Sequence, residues 1–136
     1  MPHSPRWAEG RLWLANSGTG EFGYIDATTG QFENVCFCPG YLRGVSIHQG
    51  YAIVGLSKPR YAAFSGLPID QTLKKKGKAP LCGVSIIDLK RGEIIHQLTF
   101  EGVVSELYDV VSLPQTKRPS LIGFRNEQIQ RTISIE

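Results

Sequence analysis

Three cysteines and three histidines are the residues of this sequence best suited to metal, redox or proton-transfer chemistry, and their spacing decides how far they could go. Cys36-Phe37-Cys38 puts two thiols on one side of an extended segment, with Phe37 on the other. A structural zinc site wants two such pairs, usually with two to four residues inside each. Here only Cys82 remains, with His48 and His96 as the available fourth ligands. The three thiols are therefore expected as small buried apolar groups, and no metal is expected. His3, His48 and His96 are too scattered to define an acid–base pair, and no serine lies in a Gly-x-Ser-x-Gly elbow. The reading is of no catalytic residue and no cofactor.

Two further stretches resemble ligand sites only on the surface. Asn16-Ser17-Gly18-Thr19-Gly20-Glu21 is rich in glycine, but it lacks the terminal lysine and following helix of a phosphate loop. It leads into strand-like Phe22–Ile25 and is expected as a turn. Lys74-Lys75-Lys76-Gly77-Lys78 is a basic run with no stacking aromatics in a recognisable basic fold, so it is read as a solvated tip. With a net charge of only +3, that run alone could supply the excess, and neither nucleic acid nor membrane is expected as a partner. No secretory segment and no apolar run near spanning length is visible. Since three cysteines cannot all pair within one chain, a reduced cytoplasmic setting is expected.

The elements that must position these groups are strands. Gly83–Phe100 reads as strand, tight turn, strand, with Asp88 opening the turn and Gly92 closing it. Gly23–Phe32 repeats the unit, with Asp26 and Gly30 in the same roles. Further strands are expected at 11–15, 22–26, 31–37, 43–47, 50–56, 107–113 and 119–124, with 125–136 a loosely alternating terminal strand. Met1–Ala8, with Pro2 and Pro5, is too irregular to read alone. The segment 57–81 interrupts the pattern and carries a short helix from Pro68 to Lys75, with proline in its first turn and Gly77 at its stop.

Gly10–Ser17 aligns with Gly50–Ser57 at a shift of 40, and Arg43–Ile47 aligns with Tyr108–Ser112 at a shift of 65. Without the insertion the period is about 40–45 residues, the size of a four-stranded propeller blade. The expected fold is all-β: an incomplete β-propeller of about two and a half antiparallel blades in one domain over 1–136. It divides into a partial blade at 1–38, a complete blade at 43–100 and a partial blade at 107–124. Since a closed propeller needs at least four blades, three outcomes stay open. Missing blades come from elsewhere, copies associate through sheet edges, or the fold is a smaller sandwich. Inner-strand ends surround the channel of a propeller, so the candidate rim for a ligand or partner is His3, Arg6, Arg43, Glu106, Tyr108 and Asp109. Glu101 extends its acidic part, and ordinary solvated residues are the alternative reading.

His3-Ser4-Pro5-Arg6-Trp7, Leu12–Gly20, Cys38-Pro39-Gly40-Tyr41-Leu42-Arg43-Gly44 and Leu121–Asn126 together resemble part of a known family. The resemblance is to the C-terminal half of an uncharacterised bacterial and cyanobacterial "domain of unknown function" family of about three hundred or more residues. It implies propeller-like repeats and a chain that is part of something longer, and brings no activity or site residue. Function is therefore read from architecture. The leading expectation is a non-catalytic binding or interaction module, for a protein partner or a small polar ligand. The alternatives are a metal-assisted hydrolase or lyase with its site at the channel, and an assembly protein that oligomerises through blade edges.

Overall fold

The computed structural model describes residues 1–59 and 66–119. The chain is all-β apart from one short helix. Pro2–Ala8 (β1), Arg11–Asn16 (β2), Glu21–Ile25 (β3) and Phe32–Phe37 (β4) form one antiparallel sheet in chain order. Tyr41–His48 (β5), Tyr51–Ser57 (β6), Gly83–Asp88 (β7) and Glu93–Thr99 (β8) form a second sheet of the same order. The only helix among the described residues, Pro68–Lys75 (α1), lies in the insertion with the bounds read from the sequence.

The same devices recur in both sheets. Asp26 Oδ1 accepts the Thr28 and Thr29 N–H groups at 2.8 Å each, and Asp88 Oδ1 accepts those of Lys90 and Arg91 at 2.9 and 3.0 Å. Gly30 and Gly92 close these turns at φ 68° and 69°. Glu9-Gly10 and Gln49-Gly50 turn the first hairpin of each sheet, all four with positive φ, the I′ geometry that matches strand twist. A bulge interrupts β1 between His3 and Arg6, and another interrupts β5 between Leu42 and Val45. Ser4 and Gly44 sit in these bulges with positive φ, and the Gly44 N–H donates to Ser4 Oγ at 3.0 Å.

The bulge also explains why Met1–Ala8 did not read as a strand. Prolines and a positive-φ serine hide the alternation, yet β1 pairs with β2 on both sides of the irregularity. Residues 1–38 thus supply all four strands of a sheet, at the upper end of the three or four expected before the complete blade.

The sheets face each other across a core of Trp13, Ala15 and Phe22 from the first and Leu42, Val45, Ala52, Val54, Leu56 and Ile87 from the second. Trp13 stacks on Phe22 with centroids 5.4 Å apart and meets Tyr24 edge-on at 5.3 Å. The sheets are not parallel slabs. β1 lies along β5, whereas β4 and β8 barely touch, so the sheets splay from their first strands outward. Helix α1 closes one end, burying Ile69 and Leu73 against Tyr41, Phe37 and Leu67. Lys74, Lys75, Lys76 and Lys78 are exposed, as expected of a solvated tip.

The segment 107–113, expected as a strand, joins neither sheet. It instead crosses the far face of the second sheet: Ser46 and Ser112 hydroxyls stand 2.9 Å apart, and the Leu107 N–H donates to Ser57 Oγ at 2.9 Å. The expected strand at 119–124 lies outside the described residues beyond Pro119, as does the terminal strand at 125–136.

On the first sheet, the face turned away from the second carries an apolar row across all four strands. Trp7 opposes Leu12, Leu12 opposes Ile25, and Ile25 opposes Phe32. Trp7 is 72% exposed and Leu12 36%.

Candidate functional site

A small concavity lined by polar groups lies where β1 and β5 begin and β2 and β6 end. His3, Arg43 and Glu106 line it, joined by Ser17, Tyr41, Ser57 and Lys58. Each arrives for a local reason. His3 and Arg43 lie near the starts of β1 and β5, beside the bulges of those strands, while Ser17 follows the end of β2 and Ser57 ends β6.

Both serines are buried and spoken for. Ser17 Oγ donates to the Leu42 carbonyl, and Ser57 Oγ donates to the Leu107 carbonyl at 3.2 Å. Ser17 follows the last residue of the first sheet's second strand and holds the incoming β5. Ser57 ends the second sheet's second strand and holds the incoming 107–113 segment in the same way. The separations, 40 between the serines and 65 between the leucines, are those of the sequence alignment. The site is therefore floored by one latch used twice, a feature visible in the Gly10–Ser17 and Gly50–Ser57 alignment although neither serine was singled out as functional.

The electrostatics favour negative charge. Arg43 and Lys58 make no ion pair among the described residues. His3 binds its proton less readily than an ordinary histidine, because burial and then the Arg43 and terminal-amine charges oppose the imidazolium. Glu106 is the one carboxylate in the lining. Tyr41 turns its hydroxyl to Asp70 at 3.2 Å, and burial, reinforced by that carboxylate, raises its pKa. Lys58 was not read as a rim residue: it follows the last strand residue of β6 and carries no motif of its own.

The six expected rim residues divide. His3, Arg43 and Glu106 share the pocket. Arg6 and Asp109 pair with each other, Arg6 Nη2 standing 3.3 Å from both carboxylate oxygens across 103 residues of chain. Their side chains are 40% and 52% exposed, so this pair orients the segment more than it stabilises it. Tyr108 is exposed and lies outside the pocket lining. Glu101 is exposed and lies outside the pocket lining.

The thiols do not gather. Cys36 and Cys38 face each other with sulfurs 3.9 Å apart, while buried Cys82 stands elsewhere, and no three His, Cys, Asp or Glu side chains among the described residues could hold a metal together. A hydrogen bond from Cys38 favours the Cys36 thiolate, while the same contact and burial push Cys38 well up.

A family model matches residues 1–122 of the 136: domain of unknown function DUF4915. The chain belongs to this family. No curated protein and no solved structure matches it. DUF4915 membership carries no activity to any position, so the chemistry of this member rests on its own groups. Among the described residues of this DUF4915 chain, no helix is long and apolar enough to cross a membrane.

Proposed function

We propose that this chain is a non-catalytic, β-propeller-type binding module working in the cytoplasm, whose ligand or partner loop enters at the rim formed by the inner-strand ends. One observation carries the reading: the serine latch at the end of the second strand recurs, Ser17 to Leu42 and Ser57 to Leu107. It supports taking 107–113 as the inner element of a third blade, standing to the second sheet as β5 stands to the first. The splay from β1 and β5 outward agrees with blades radiating from an axis. The Arg6–Asp109 pair then joins the first inner strand to the third across that axis.

Ser57→Ala tests the reading. Loss of the hydroxyl is expected to raise amide exchange at Leu107 and Ser112, and to weaken any rim ligand found by thermal shift in a panel of small polar metabolites and short peptides. Unchanged exchange at both amides would remove the ground for a third inner element.

A second reading, assembly, is favoured by the outward row of Trp7, Leu12, Ile25 and Phe32. Leu12 and Ile25 correspond by position to Ala52 and Ile87, both fully buried against the first sheet. A face of this kind is therefore used in the second sheet to receive a neighbouring sheet. Sedimentation is expected to give a mass above one chain, falling to the monomer in Trp7→Glu. A wild-type monomer at micromolar concentration would set this reading aside.

A further inference from the structure

The pocket at the strand ends holds cationic side chains in excess of its own carboxylate. Arg43 stands half-buried on β5, and Lys58 stands at the exposed end of β6. Neither is ion-paired among the described residues, and Glu106 alone opposes them within the lining. The serine hydroxyls on the floor are engaged with backbone carbonyls, so the donors left to a ligand are the guanidinium, the ammonium and the His3 ring. Cationic donors in excess of the single lining carboxylate suit an anion.

Size limits what can enter. The cavity is about 40 Å³, where each water needs on the order of 10–15 Å³, so only the head of a ligand is taken in. A planar carboxylate head fits such a space, with the remainder of the ligand left in the open mouth. The planar fork of Arg43 can meet both oxygens of such a head, while Lys58 contributes charge from the rim.

We infer that this pocket is a carboxylate-binding site, with Arg43 as the bidentate partner, Lys58 as the mouth charge and His3 as a hydrogen-bonding wall. The inference rests on the binding-module reading and names the chemistry of its ligand. Glu106 acts against it, as a like charge in the lining that repels a bound carboxylate.

Acetate is the probe, titrated at constant ionic strength against chloride and followed by the ring protons of His3 and the side-chain Nε–H of Arg43. Saturable shifts of both are expected in the millimolar range. Lys58→Gln, at an exposed position that leaves the fold alone, is expected to weaken binding several-fold, and Arg43→Gln about tenfold. Glu106→Gln is expected to tighten it. A response equal to that of chloride, or one unchanged by Lys58→Gln and Arg43→Gln, overturns the assignment. Should acetate leave His3 unmoved while a neutral polar compound shifts Arg6 and Tyr108, the carboxylate chemistry falls and the binding module stands. Silence at every rim residue toward acetate and toward neutral ligands overturns both.

Discussion

Trp13→Ala is expected to remove about 3–5 kcal/mol of folding stability, the range for truncating a large aromatic inside a packed core. Trp13 is 2% exposed and central to the contact between the sheets. Three losses coincide. The ring's apolar area returns to water, its stacking with Phe22 and edge contact with Tyr24 vanish, and the Ala8 carbonyl loses the indole N–H that reaches it at 3.0 Å. Against a total of about 5–15 kcal/mol for an ordinary domain, the variant stands close to the unfolding threshold. Trp13→Phe separates the terms, since it keeps most of the packing and is expected to cost about 1–2 kcal/mol. Denaturant titration measures both. A Trp13→Ala loss below about 1 kcal/mol would mean that the two sheets do not share this core.

Gly44→Ala has the next largest expected effect, about 3 kcal/mol, and it acts at a different place. Gly44 sits in the β5 bulge at φ 76°, a conformation that costs an alanine about 1–2 kcal/mol by itself. A methyl group there would also stand 2.4 Å from the Val110 nitrogen and 2.6 Å from the Asp109 Cα. Those are backbone atoms and cannot swing aside. The 107–113 segment must lift, taking with it the Ser46–Ser112 and Ser57–Leu107 bonds and the Arg6–Asp109 pair. Gly50→Ala is the control: its φ is 79°, yet nothing stands within 4 Å of the added methyl, so only the backbone cost remains. Proteolysis between Glu106 and Leu113 is expected to accelerate in Gly44→Ala and not in Gly50→Ala. Equal behaviour of the two would show that the segment is not held against β5.

Much of this fold was legible because its turns use side chains whose chemistry is local. Asp26 and Asp88 each take two backbone N–H groups within three residues, so the hairpins they close can be read without knowing their neighbours. Helix α1 was legible for the same reason, with proline at its start and a glycine beyond its end. β1 was not, because its bulge breaks the period of two that marks a strand. Nor was the state of 107–113: its alternation is strand-like, but a strand needs a backbone partner, and every hydrogen bond it makes to the sheets among the described residues involves a side chain.

The site was legible in part. His3 and Arg43 were found by their place at inner-strand starts, and the alignment at a shift of 40 pairs them. Arg6 and Asp109 were named for the same reason and prove to satisfy one another. Lys58 and the latching serines were missed because they lie at strand ends instead of strand starts. Their roles come from what arrives opposite, Leu42 and Leu107, which no local pattern announces.

The strict chain order of the strands has a consequence for biosynthesis. The first sheet possesses all four of its strands once Phe37 has left the ribosome, and its hairpin contacts are short-range and quick to form. Its Trp13 face, however, waits for Ile87 to arrive. The roughly 50 intervening residues take about 3–10 s at about 5–20 residues per second. For those seconds the nascent chain displays aromatic surface on one side and the Trp7 row on the other. Aggregation competes with folding in that interval, so slower translation through the 57–81 insertion would lower yield while leaving the finished protein's stability untouched.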